Sequence, residues 1–87
     1  MKVSISEDVV SEVADGEVVL LDLKRGTYYA LDPVGSRLWG LLQRGENLEA
    51  ARAQLLREYE VTEELLTRDL ERLLADLSTR GLIELQG

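Results

Sequence analysis

The chain has 87 residues, 45% hydrophobic and 31% charged, with a formal net charge of −7 and a pI near 4.5. That length supports one domain with a small core, and that charge works against non-specific binding to DNA or to an anionic membrane. The absence of Cys and His excludes disulfides and thiol chemistry and removes the commonest general base and metal ligand.

With no Phe and one Trp, the core is expected to be aliphatic. The charge is uneven: residues 1–45 carry seven acids and five bases, whereas residues 46–87 carry ten acids and five bases. A charged partner is therefore expected to be basic and to meet the C-terminal half. No apolar run approaches the roughly 20 residues of a spanning helix. The N-terminus lacks the basic-then-apolar pattern of a signal peptide. These features predict a cytoplasmic protein with no membrane partner.

Taken in order, Met1 to Ile5 alternates weakly and suggests a short edge strand. Val9 to Ala14 and Glu17 to Leu23 are apolar runs separated by Asp15-Gly16, a strong short-range hairpin signal. Lys24-Arg25-Gly26 reads as a second turn, and Thr27 to Leu31 is rich in strand formers. A three-stranded antiparallel meander is predicted, with Thr27–Leu31 at its edge because the chain then turns into a helix.

Asp32-Pro33 is a helix start: the carboxylate caps free N–H groups, and proline suits the first helical position. Val34, Leu38, Leu41 and Leu42 share one face, with Trp39 beside them as a core residue, and Gly45 stops the helix. Gly35 and Gly40 lie inside it, each costing about 1 kcal/mol against alanine; close approach of another backbone is the expected reason. Asn47 caps a second helix with an inner stripe of Leu48, Ala51, Leu55, Leu56 and Tyr59. Thr62 caps a third, with acids in its first turn that suit the helix dipole. Its core stripe is read as Leu66, Leu70, Leu73 and Leu77, flanked by Leu74 and Thr67 on one side and by Asp69, Asp76 and Arg80 on the other. Gly81 ends it, and Leu82 to Leu85 is a last short strand or an apolar tail packed on the sheet. The predicted class is α+β, winged helix-turn-helix-like, in a single domain over residues 1–87.

No catalytic constellation stands out, since most acids fall on solvated helix faces. No Gly-rich phosphate loop and no calcium-loop spacing occurs, so neither catalytic residues, metal nor cofactor is expected. Winged-helix architecture suggests DNA binding by analogy only. The third helix sets Arg68, Arg72 and Arg80 against Glu63, Glu64, Asp69, Glu71 and Asp76, which is the wrong balance for a phosphate backbone.

The edge strand is more informative. It carries no charge and no proline, the usual blunting devices. It is either tolerated because it is short, or covered by Leu82–Leu85, or open to accept a strand from a peptide. In the last case its N–H groups do the pairing, and Tyr29→Pro is expected to remove one. Adjacent Tyr28 and Tyr29 point to opposite faces. One packs inward with Leu31 and the other can line a cleft; which is which depends on register.

The pattern Leu21-x-Leu23-x-x-Gly26-x-Tyr28-Tyr29-x-Leu31-x-x-x-Gly35-x-x-x-Trp39 resembles the PqqD-like family. So do Gly45, Tyr59, and the series Asp69, Leu73, Leu77, Gly81 and Leu82. The resemblance covers nearly the whole chain and implies a recognition element for ribosomally made, modified peptides. The form Leu21-Asp22-x-x-x-Gly26-x-Tyr28-Tyr29 is most similar to the stand-alone version of lasso peptide biosynthesis, which works beside a separate leader peptidase. The resemblance implies that a precursor's leader pairs antiparallel with the third strand and lies between it and the third helix. Thr27, Tyr28, Tyr29, Ala30 and Leu31 would supply the strand. Leu70, Leu73, Leu74 and Leu77 would supply an apolar floor, and Asp69, Asp76 and Arg80 a rim. The implied partners are a leader peptide and the peptidase, with a cyclase as a further candidate. A peptide chaperone of another modified-peptide or cofactor pathway is the alternative, and a DNA-binding winged helix the remote one.

Overall fold

A computed structural model describes residues 2–86. Eight elements follow in order: β1 (Lys2–Ile5), β2 (Val9–Ala14), β3 (Glu17–Asp22), β4 (Thr27–Ala30), α1 (Pro33–Gln43), α2 (Leu48–Glu58), α3 (Glu63–Thr79) and β5 (Ile83–Gln86). Met1, expected within the first strand, lies outside the described residues, as does Gly87. The α+β reading holds: β2, β3 and β4 form an antiparallel three-stranded sheet, followed by three helices.

The β2–β3 hairpin closes through Asp15 and Gly16, which both take positive φ (52° and 81°). That is the backbone a two-residue turn between right-twisted strands demands. Between β3 and β4, the Asp22 carboxylate accepts from the N–H groups of Lys24 (3.0 Å) and Arg25 (3.2 Å). Each helix begins on its predicted cap. Asp32 Oδ1 accepts from Gly35 N–H at 2.7 Å, Asn47 Oδ1 from Ala50 at 2.8 Å and Thr62 Oγ1 from Leu65 at 3.2 Å.

Leu82–Leu85 does not cover the meander's edge. The strand Ile83–Gln86 pairs antiparallel with β1 in a separate two-stranded ribbon, with Ile5 opposite Ile83 and Lys2 opposite Gln86. Val3, Ile5 and Leu85 close over the core from this ribbon. The core is aliphatic around Trp39, with Leu20, Leu38 and Leu55 fully buried. Arg37 ties α1 to the end of α2 through paired bonds to Glu58, both 2.9 Å. Those bonds, with a third from Gln54, hold the Glu58 carboxyl at about 2.

The two glycines of α1 part company. A Cβ on Gly35 would lie 3.2 Å from the Leu73 side chain and 3.1 Å from the Asp32 carboxylate. The close approach is therefore to side chains, not to a backbone. Gly40 has nothing within 4 Å of a built Cβ, so close packing does not explain it.

Candidate functional site: an open strand edge along an apolar groove

The site begins with the hydrogen-bond parity of β4. Antiparallel partners alternate between pairs that exchange both main-chain bonds and pairs that exchange none. Leu31 N–H donates to Val18 C=O at 2.9 Å, continuing the register in which Ala30 faces Val19 and Tyr29 faces Leu20. Thr27, Tyr29 and Leu31 therefore aim their main-chain groups inward at β3. Tyr28 and Ala30 aim theirs outward. No described strand lies on that side. The Tyr29 N–H is thus a ladder donor within the sheet, and the expectation that it serves the edge is corrected to Tyr28 and Ala30.

Ser36 sets where the strand stops. Its hydroxyl accepts from Val18 N–H at 2.8 Å and donates to Leu31 C=O at 3.3 Å. A side chain of α1 thus replaces the next rung of the ladder. The strand ends at Ala30, one residue short of expectation, and the buried Leu31 becomes groove lining.

Parity also settles the tyrosines. Tyr28 stands on the outer face, 73% exposed. Tyr29 turns inward with Leu31 and bridges to α3: its hydroxyl donates to Asp76 Oδ2 at 2.6 Å. Arg80 lies over the ring, 4.9 Å from its centroid, and donates from Nε to Asp76 Oδ1 at 3.2 Å. The hydrogen bond to Asp76, with burial, raises the Tyr29 hydroxyl above its ordinary 10.0. The same bond, then Arg80, lowers Asp76 below 3.8.

Between β4 and α3 runs an open groove of about 680 Å³. Tyr29, Ala30, Leu31, Asp69, Leu70, Leu73 and Asp76 line it as a group, all of them among the expected site residues. Thr27, Tyr28 and Arg80 do not; they border a smaller depression of about 190 Å³ at the other end of β4. Leu74 and Leu77 are core, 4% and 1% exposed, and line neither depression. Of the four leucines expected in the floor, only Leu70 and the half-buried Leu73 line the groove. Val34, Gly35, Tyr59 and Val61 complete the floor and far wall. Sequence reasoning missed them as site residues; Tyr59 was read as part of the inner stripe of α2, and it does pack against the core from the groove's far wall.

Three carboxylates (Asp32, Asp69, Asp76) and one guanidinium (Arg72) stand in or around this groove. Asp32 and Asp76 are committed to the cap and to Tyr29. Among the described residues, no group of three or more acids is arranged to hold a metal, and no helix is long and apolar enough to cross a membrane.

An α+β domain of winged-helix type, with one sheet edge left open beside an apolar groove, is the class that fold and site define. The chain belongs to the PqqD family: the family described as Coenzyme PQQ synthesis protein D (PqqD) matches residues 17–83. Among solved structures it is similar to TbiB1 in complex with the TbiA(beta) leader peptide. The two share 43% identity over 97% of this chain and 98% of that one, with a TM-score of 0.89. It is also similar in fold to a lasso peptide synthetase B1 complexed with the leader peptide, at 24% identity over 98% and 100% of the two chains and a TM-score of 0.86. No curated protein matches.

Proposed function

We propose that this protein is a single-domain, non-catalytic recognition element that binds the leader segment of a ribosomally made lasso peptide precursor. The leader adds an antiparallel strand to β4, pairing with the outward groups of Tyr28 and Ala30. Its alternate side chains enter the groove against Leu31, Leu70 and Leu73. The observation that carries this reading is the unpaired edge of β4 running beside that apolar groove. Similarity at 43% identity to a leader-bound TbiB1 supports it. The bound precursor is then presented to a separate leader peptidase. Tethering makes the second encounter nearly intramolecular, which raises its rate without new contacts.

The family's description supports a second reading, in which the peptide belongs to a cofactor pathway. One experiment addresses both. Amide NMR titrations are run with the leader of the precursor encoded beside this gene, with the TbiA(beta) leader and with a PQQ precursor peptide. Shifts at Tyr28–Leu31 and along Asp69–Asp76 with either lasso leader, and none with the third peptide, are expected. The reverse pattern favours the cofactor pathway, and no shifts with any peptide removes peptide recognition altogether.

A further inference from the structure

Following β4 from its last residue back to its first, the charge beside it changes sign. The groove at the Leu31 end is lined by Asp32, Asp69, Asp76 and Arg72, a net of two negative charges. The depression at the Thr27 end has only Arg25 and Arg80 as charged lining. The two depressions share Tyr29, and its bond to Asp76 stands between them. Both arginines are held in place. Arg25 donates from one Nη to the Arg80 carbonyl at the end of α3. Arg80 is fixed by the Tyr29 ring and by Asp76. A guanidinium has five N–H donors. Among the described residues, Arg25 and Arg80 each give one side-chain hydrogen bond, so most of their donors remain available.

The strand geometry turns this into a statement about sequence. A peptide paired antiparallel with β4 runs from the Leu31 end to the Thr27 end. Its residues opposite Leu31, Tyr29 and Thr27 share the groove side, because side chains alternate along a strand. The first meets the apolar floor, the second the Tyr29–Asp76 pair, and the third Arg25 and Arg80.

We propose that the site selects a peptide in which an apolar anchor is followed, about four residues toward the C-terminus, by a carboxylate held against Arg25 and Arg80. The charge asymmetry sets the direction of the bound strand, since the reversed peptide brings its carboxylate to the acidic end. The inference rests on the proposed pairing with β4.

The test is a selection of random phage-displayed peptides on the wild-type protein and on Arg80→Glu, with folding of the variant checked by thermal melting. Wild type is expected to enrich an apolar residue followed at that spacing by Asp or Glu. Arg80→Glu is expected to keep the apolar residue and to enrich Lys or Arg in place of the acid. In an enriched peptide, changing the acid to Lys is expected to weaken binding to wild type roughly fivefold, the scale of a partly exposed charge pair plus its repulsive replacement. That last measurement needs no protein variant. Enrichment of the apolar residue without any sign preference, or with the acid on its N-terminal side, overturns the inference and leaves strand binding standing. No enrichment at all overturns the strand pairing and the inference with it.

Discussion

Ser36 is a small residue on which two elements depend. Its hydroxyl satisfies Val18 N–H and Leu31 C=O together, where the ladder between β3 and β4 runs out. Ser36→Ala leaves both groups without that partner in a part-buried position. A loss of about 1–3 kcal/mol is expected, the cost of an unsatisfied buried polar group, measured as a lower denaturant midpoint with unchanged slope. Tyr29 yields a pH signature. Asp76 is lowered in the folded state, first by the bond from Tyr29, so its contribution is present above the ordinary carboxylate range and is lost as pH falls through the folded value. Tyr29 is raised, first by the same bond, so its contribution is present below 10 and is lost as pH rises through the folded value. The stability difference between wild type and Tyr29→Phe is therefore expected to be greatest in the neutral range and to shrink at both extremes. Chemical denaturation across pH measures it. A difference that stays flat from acid to alkali would remove the bond from the account.

At the scale of elements, β4 and α3 each present two faces that neighbouring residues divide between them. Ala30→Pro removes an outward N–H, a position where an edge strand tolerates proline, so the variant is expected to fold and to lose leader affinity. Tyr29→Pro removes an inward ladder donor, so it is expected to lose stability first. Circular dichroism melting beside peptide titration separates the two. On α3, Leu73→Asp is expected to fold with weakened leader binding. Leu74→Asp buries a charge in the core and is expected to cost more than about 3 kcal/mol. Leu73 and Leu74 also mark the limit of what the chain reveals by itself. Stripes through Leu66, Leu70, Leu73, Leu77 and through Leu66, Leu70, Leu74, Leu77 have the same helical period. Only the neighbours packed on each side decide between them. The caps Asp32, Asn47 and Thr62 were legible because each acts on N–H groups within its own first turn. The directions of Tyr28 and Tyr29 were not, because ladder parity belongs to the pairing with β3. The role of Ser36 was not legible either, because its partners come from two strands. The groove's floor was half legible: Leu70 and Leu73 follow from periodicity, whereas Val34 comes from α1 and Val61 from the segment between α2 and α3.

For the whole molecule, the excess of acid over base is the property a partner meets first. The net charge of −7 steers a basic leader toward the protein through a field that salt screens over about 8 Å at physiological ionic strength. The association rate of such a leader is expected to fall as salt rises, with a smaller change in dissociation, as read by stopped-flow at several ionic strengths. A rate that ignores salt would show that the net charge does not steer the encounter.

The ribbon of β1 and β5 has a consequence for the order in which the molecule folds. Lys2 faces Gln86, so pairing β1 with β5 closes a far longer stretch of chain than pairing β2, β3 and β4 does. The meander and the three helices close on themselves within short stretches of chain, and local closures come first because short loops cost less entropy. During folding, then, β1 remains an unpaired strand while the β4 edge is already formed. Until then β1 has no strand partner on either side, whereas in the finished fold it is paired with β5 on one. Pairing with β5 is thus the step that gives β1 a partner of its own, so that it no longer competes with an extended peptide for the β4 edge.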